Sequence, residues 1–482
     1  MNRRVVLNTT GYILIAEAAL MLFPALISLI YSDGCFFAFI ASAIICAVAG
    51  FLLLSIKLES KVIYAREGFA IVAISWILMS IFGSLPYIFS GEIPNFVDAF
   101  FETVSGFSTT GATILADIET CCRSVLFWRS FTQWIGGMGV LVFVLVIVPL
   151  GGERSMNLVR AEVPGPTKGK LVPKMRNTAR LLYMIYIGMT LILMALLCSG
   201  GMDLFDSVLT AFGTAGTGGF LNYTNSIAHF NSPYFEYVIS IFMLLFGINF
   251  NLYYLLFVRQ WRQVLKNEEL RWYIGMVLFA VITITLNLAA GAESYLEAFR
   301  VAFFQVSSVM TTTCFTSANL STIPEYSRAL LITLMFVGAC TSSTGGGLKV
   351  SRIIIWVRSC KQGVSRMLHP RAVTRVQLDG KPLEEGLLRN TSVFLIAYVL
   401  IATVSVLLLS LDNLSFHSSF SVVLSCLSNG GAATQLMGIP HSYVIYSDLA
   451  KFVMCFDMLA GRLEIFPMLI VFAPSIWKIS KR

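Results

Sequence analysis

The sequence predicts an all-α polytopic membrane protein. Four span–short helix–span repeats run in one sense around a pseudo-fourfold axis, preceded by two extra transmembrane helices. Three observations carry that expectation. Of the 482 residues, 57% are hydrophobic and only 12% charged, where a soluble domain averages about 25% charged. Basic residues fall in alternate connections between apolar runs. One semi-apolar stretch, too short to cross a bilayer, recurs four times between those runs.

A helix needs roughly 20 residues to cross about 30 Å of hydrocarbon. Apolar runs near 12–30, 36–56, 67–89, 125–149, 180–199, 234–258, 272–290, 327–357, 390–410 and 446–476 give ten expected spans. Lipid offers no hydrogen-bond partners, so each run is expected to be helical. The first begins near Tyr12, after Arg3 and Arg4. It has no small-residue cleavage site and a second span follows at once, so it reads as a retained helix. Glu17 within it reads as a packing or interface residue.

The net charge is +8, and 28 of the 34 Lys and Arg residues lie in six blocks. These are the two termini and segments 57–66, 151–180, 258–271 and 349–389. The loops at 31–35, 90–98, 200–206, 221–233, 411–418 and 432–445 hold none. The positive-inside rule then places the six blocks and both termini in the cytoplasm. The pattern is a topology signal without a groove-reading basic face, so no nucleic-acid partner is expected. Ten cysteines are scattered, mostly within apolar segments, and only Cys121 and Cys122 are close in sequence. No zinc or redox spacing appears, and most of them read as small packing residues.

Residues 90–124 lie between two spans yet form neither a short loop nor a domain, and a semi-apolar stretch of this length is more often re-entrant than spanning. AFFETVSGFSTTG (99–111) and AFFQVSSVMTTTC (302–314) align without a gap and match at six of thirteen positions. DSVLTAFGTAGTG (206–218) and SFSVVLSCLSNGG (419–431) fit the same frame more weakly. Repeats in one sense imply an axis along the membrane normal. The expected units are two leading helices in 1–62, then repeats at 63–165, 166–268, 269–380 and 381–482.

This pattern suits a cation. A dehydrated K⁺ needs a ring of oxygens, which backbone carbonyls supply. Non-helical backbone at membrane depth is tolerated only where it lines a wet cavity or is packed in protein. Each short helix ends with its carbonyl dipoles toward that cavity. The candidate K⁺ residues are Thr109, Thr110 and Gly111, then Gly216, Thr217 and Gly218. Thr312, Thr313 and Cys314 follow, then Asn429, Gly430 and Gly431. The expected frame sets Gly111, Gly218, Cys314 and Gly431 in equivalent positions. K⁺ is the expected transported ion, and no bound cofactor is expected.

Two further candidates concern gating. Ala329–Val337 is too short to span, and GACTSSTGGGL (338–348) follows it. Three consecutive glycines, Gly345, Gly346 and Gly347, beside Thr341, Ser342, Ser343 and Thr344 fit a movable segment better than plain helix packing. Packing by small residues does fit Gly136-Gly137. Lys349 opens the basic stretch that follows. Arg462 lies near the middle of the last span, where a charge costs roughly 2.5–3.5 kcal/mol on insertion scales. It therefore faces protein or water, with Asp457 or Glu464 as local ion-pair candidates or as a fixed positive charge beside the pore.

SGFSTTGAT (105–113), GTGGF (216–220), TTTCFT (311–316) and SNGGA (428–432) resemble the four filter loops of the Trk/Ktr/HKT superfamily of potassium transporters. WRSFTQWIGGMGVLV (128–142), GACTSSTGGGLKVSR (338–352) and AGRLEIF (460–466) resemble its first post-filter helix, its intramembrane gating loop and its last inner helix. The likeness covers essentially the whole chain, and the two leading helices fit the bacterial Trk-type membrane subunit. It implies channel-like potassium uptake in the inner membrane by a homodimer in contact with membrane lipid. It also implies a cytoplasmic nucleotide-binding regulatory subunit (TrkA-like), docked on segments 151–180 and 349–389. Cys314 departs from the family's filter glycine, which points to a less selective K⁺/Na⁺ transporter as the alternative. No enzyme is expected: the four histidines are dispersed and no paired Asp or His-x-x-x-His motif occurs. Nor are the repeats inverted, as those of many alternating-access carriers are.

Overall fold

The computed structural model describes residues 3–56, 65–139, 175–291, 294–318, 323–371, 375–431 and 442–473. The first leading span is α1 (Arg3–Leu20) continued through Met21 by α2 (Leu22–Tyr31). The second is the next helix, α3 (Phe36–Leu54), which packs along α1. Glycines set that approach: a Cβ on Gly11 would stand 2.8 Å from the Gly50 carbonyl oxygen.

The first repeat is α4 (Ala65–Gly83) with its continuation α5 (Leu85–Ser90), the short helix α6 (Phe96–Phe107) and the inner helix α7 (Arg123–Gly137). The second is α8 (Met175–Ser199), the short helix α9 (Leu204–Gly216) and the inner pair α10 (Pro233–Phe246) and α11 (Phe250–Phe257). After α12 (Trp261–Lys266), the third repeat is α13 (Glu268–Leu288), α14 (Tyr295–Met310), α15 (Glu325–Val337) and α16 (Val350–Leu368). A small ribbon follows, in which β1 (Gln377–Leu378) pairs antiparallel with β2 (Lys381–Pro382). The fourth repeat is α17 (Glu385–Leu409), α18 (Phe416–Leu427), α19 (Asp448–Arg462) and α20 (Phe466–Phe472). Apolar side chains such as Phe37 and Leu407, 79% and 66% exposed, point outward, as a hydrocarbon solvent requires.

All four short helices begin on a side-chain cap. Asn95, Asp203, Ser294 and Ser415 accept the backbone N–H of Val97, Phe205, Glu297 and Ser418. Such a cap contributes about 1 kcal/mol. The C-terminal halves of these helices are buried among the longer ones.

Hydropathy expects ten spans, with an interruption foreseen only at 338–348; among the described residues more of the inner helices are broken than that. Among the described residues, six helical stretches are long and apolar enough to cross a membrane. A seventh is the α10–α11 pair, bent by 89°. The difference lies in the second long helix of each repeat. α10 and α11 part at 247–249, α15 and α16 at 338–349, and α19 and α20 at 463–465. α7 ends at Gly137, and its expected continuation, 140–149, lies outside the described residues. Hydropathy windows average over such breaks, because their flanks are apolar. The inner helices come close to the ends of the short helices: a Cβ on Gly136 would run into the Phe107 carbonyl, and one on Gly461 into that of Leu427.

Forcing a methyl group into such a contact costs about 1–3 kcal/mol. Gly461→Ala should therefore lower the unfolding temperature of detergent-purified protein. Gly188→Ala in α8, where a Cβ meets nothing within 4 Å, should leave it unchanged or raise it. Equal stability of the two variants would contradict the packing assignment.

Candidate functional site

Each short helix runs into a turn that follows one backbone plan. Thr109, Thr217, Thr312 and Asn429 adopt left-handed φ values of 55°, 54°, 61° and 55°. Each donates its N–H to the carbonyl three residues back: Gly106, Thr214, Val309 and Cys426. Two residues later Gly111, Gly219 and Cys314 are again left-handed, at 81°, 78° and 59°. These angles correct the expected frame. Thr217 is the counterpart of Thr109 rather than of Thr110, so Gly219, not Gly218, takes the place of Gly111. Gly216 falls opposite Ser108. The displaced frame set more identical residues opposite one another, but these were Gly and Thr, which abound throughout the segment.

The four turns close a ring. A Cβ on Gly111 would run into the Gly218 carbonyl, and one on Gly219 into the Thr313 carbonyl. One on Gly430 would stand 3.2 Å from Cys314 Sγ. The Gly431 N–H closes the circuit by donating to the Thr110 carbonyl oxygen at 2.6 Å. Each turn thus abuts the next, and the fourth abuts the first. The Cys314 side chain lies in the seam between the third and fourth turns. The hydroxyls differ in occupancy. Thr110 and Thr313 bond to Ser108 and Thr311 at 2.7 and 2.8 Å. Thr109 Oγ1 is buried with no partner among the described residues. Asn429 Nδ2 donates to the Met458 carbonyl at 2.8 Å and to Thr110 Oγ1 at 3.2 Å.

A buried ion pair braces the outer side of this ring. Arg129 Nε on α7 donates to Glu102 Oε1 on α6 at 2.7 Å, and both side chains are fully enclosed. Glu102 also accepts the Ile114 N–H at 2.8 Å and the Thr113 hydroxyl at 3.0 Å. Arg129 reaches the Leu221 carbonyl at 3.4 Å and lies over the Phe220 ring. Gln133 Oε1 accepts the Phe220 N–H at 2.9 Å. One helix face therefore holds the exits of the first two turns.

Residues 338–349 lie against the third and fourth turns. The Gly346 N–H donates to Thr312 Oγ1 at 2.7 Å, and the Gly347 N–H to the Ser428 carbonyl at 3.0 Å. The segment is also stitched to the broken inner helices. Cys340 donates to the Gly247 carbonyl at 3.1 Å, and Phe250 donates to the Ser342 carbonyl at 3.0 Å. Glu269 accepts both the N–H and the hydroxyl of Thr341 at 2.7 Å. Lys349 Nζ folds back onto the Gly345 carbonyl.

Arg462 has neither of its expected ion-pair partners. Glu464 pairs with Arg352, and Asp457 accepts the Ser405 hydroxyl at 2.8 Å. Arg462 instead donates to carbonyl oxygens: Thr344 at 2.7 Å, Gly136 at 2.7 Å and Gly137 at 3.2 Å. Its guanidinium joins the loop to the end of α7.

Known proteins share this fold. Residues 36–479 match the family model TrkH, described as a cation transport protein. The Trk system potassium uptake protein TrkH of Escherichia coli (strain K12) is 36% identical, over 99% of this chain and 100% of its own length. The chain belongs to the TrkH family. TrkG of the same strain is 31% identical over 98% of this chain and 99% of its own. The crystal structure of the potassium transporter TrkH from Vibrio parahaemolyticus superposes with a TM-score of 0.87 at 30% identity, covering 99% and 100% of the two chains.

Within this TrkH-family fold, sequence reasoning missed Gly219, Glu102, Arg129, Gln133 and Glu269. Arg129 carried a readable signal, since it falls inside an expected span, where a charge calls for a partner. Glu102 and Glu269 sit in segments whose composition gives no hint of what they hold.

Removing one member of a buried pair leaves the other uncompensated, at about 3–5 kcal/mol. Arg129→Met should accordingly unfold at markedly lower temperature, and adding Glu102→Gln should restore much of the loss. A double variant no more stable than the single one would remove the pair as the brace.

Proposed function

We propose that this chain takes up K⁺ through the ring of four turns, in a channel-like manner, across a bacterial inner membrane with both termini in the cytoplasm. The observation that carries the reading is the closed ring, in which left-handed residues recur in register from turn to turn. A cation that sheds its water needs a ring of oxygens. The names of the E. coli and Vibrio relatives point to the same ion. Thr109, Thr110, Gly111, Thr217, Gly218, Gly219, Thr312, Thr313, Cys314, Asn429, Gly430 and Gly431 are the proposed K⁺ residues.

Residues 338–348 act as the gate. Their N–H groups occupy the Thr312 hydroxyl and the Ser428 carbonyl, oxygens that would otherwise face a partly dehydrated ion. Arg462 and Lys349 hold the loop through the Thr344 and Gly345 carbonyls, and their charge opposes a cation at that level. Opening requires these bonds to exchange. A cytoplasmic nucleotide-binding subunit of the kind that the Trk system implies would drive that exchange through the basic segments, and the working unit would be a homodimer. Segment 349–389 is largely described, whereas 151–174 lies outside the described residues.

The primary test is the reversal potential of purified protein in liposomes under K⁺/Na⁺ gradients. K⁺ selectivity with loss of Rb⁺ flux in a folded Gly111→Val variant supports the reading. Unchanged flux in that variant would sink it. Cys314 supports the less selective alternative, since its φ lies about 20° from those of Gly111 and Gly219 and turns its peptide differently. Cys314→Gly should raise the K⁺/Na⁺ permeability ratio, and an equal or lower ratio would show the thiol to be neutral or favourable.

Deleting 345–347 removes the two N–H groups that cap the turns. Single-channel open probability should then rise without any regulatory subunit, at unchanged selectivity. A folded deletion variant with wild-type open probability would leave the loop as packing.

A further inference from the structure

The cysteines do not all behave as filler. The turn joining α2 to α3 meets the start of α7 on the face that carries no basic block, and three metal-ligating side chains converge there. Asp33, Cys35 and Cys122 each offer one ligand atom, all within 4.8 Å of one another. Both thiols turn toward one point: Cys35 Sγ lies 3.9 Å and Cys122 Sγ 3.6 Å from the Asp33 carbonyl oxygen. The two sulfurs come from segments 87 residues apart and are not bridged.

The carboxylate is held for the purpose. Asp33 Oδ2 accepts the Ser124 N–H at 2.9 Å, while Oδ1 accepts the Cys35 N–H at 3.2 Å and the Ser28 hydroxyl. Those bonds fix the carboxylate between the starts of α3 and α7 and leave Oδ2 with a free lone pair. A second carboxylate is adjacent, since Glu92 Oε1 accepts the Cys122 N–H at 3.0 Å. Capping explains Asp33 by itself. It does not explain two thiols aimed at the same oxygen beside two carboxylates.

We propose that Asp33, Cys35 and Cys122 bind a soft divalent cation of the Zn²⁺ or Cd²⁺ class, with Glu92 or a water as fourth ligand. Two sulfurs with one or two carboxylate oxygens suit a tetrahedral ion of that class. They do not suit Mg²⁺ or Ca²⁺, which take oxygen alone. Ligands at about 2.0–2.3 Å from such an ion stand roughly 3.3–3.8 Å apart, so atoms at the 4.8 Å limit need approach by about 1–1.5 Å. On binding, each thiol gives its proton to water and its sulfur lone pair to the metal. One ion therefore releases two protons, and affinity rises with pH. The bound ion clips the leading helices to the inner helix of the first repeat.

The test uses the full chain, purified reduced and metal-free, titrated with Cd²⁺ and followed by the ultraviolet thiolate-to-cadmium band. One ion per chain is expected, with the band lost in Cys35→Ser and in Cys122→Ser and kept in Cys360→Ser. Rb⁺ flux at the wild-type level in all three variants shows that they are folded. No stoichiometric Cd²⁺ binding, or a band that survives both substitutions, overturns the site. So does protein that, isolated without reductant, resists thiol alkylation at both residues until reduced, since the pair would then be a disulfide.

Discussion

The structure turns on how the backbone groups opened where the inner helices break are paired. A helix break frees several N–H and C=O groups, and hydrocarbon offers them nothing. Three of the inner helices break at corresponding places, and α7 ends at the fourth. The freed groups find partners in segment 338–349 and in Arg462. Cys340 takes the Gly247 carbonyl, Phe250 gives its N–H to Ser342, and Arg462 spans Gly136, Gly137 and Thr344. Loop and breaks therefore stabilise each other. A movement of one would free polar groups on the other.

The ring of turns rests on this frame from the opposite side. Close approach governs it. Gly111 and Gly219 face carbonyl oxygens of the next turn with no room for a side chain, and both need positive φ. Cys314 shares the positive φ but escapes the first demand, because its seam opens toward Gly430 and admits a sulfur. The Glu102–Arg129 pair, enclosed and hydrogen-bonded to Thr113, Ile114 and Leu221, keeps the first two turns in register from outside. A pair so buried is weak evidence for stability in itself, but it fixes one geometry where several Gly-rich ones compete.

Much was legible from the sequence because membrane constraints are severe. Low charge, basic blocks and apolar runs located the helices, and the short repeats in the first, third and fourth copies were read in the register that the backbone adopts. The second copy slipped by one residue. In TAFGTAGTGG, Gly and Thr alternate so densely that identity favours a neighbouring frame, whereas the left-handed angle at Thr217 leaves no choice. The breaks at 247–249 and 463–465 escaped notice for a different reason: each is only a few residues long, and a hydropathy window averages it with apolar flanks.

What the sequence determined by itself is the class of environment and the inventory of parts. The backbone of every span must pair its polar groups within the helix, and that requirement is local. What only the tertiary structure decided is which groups meet. Arg462 bonds carbonyls of two other repeats rather than its neighbours Asp457 and Glu464. Cys35 finds Cys122 rather than a partner at any motif spacing, and Gly219 replaces Gly218 opposite Gly111. These choices depend on distances between segments tens to hundreds of residues apart. Burial in a close-packed interior fixes such distances, and no local pattern along the chain records them.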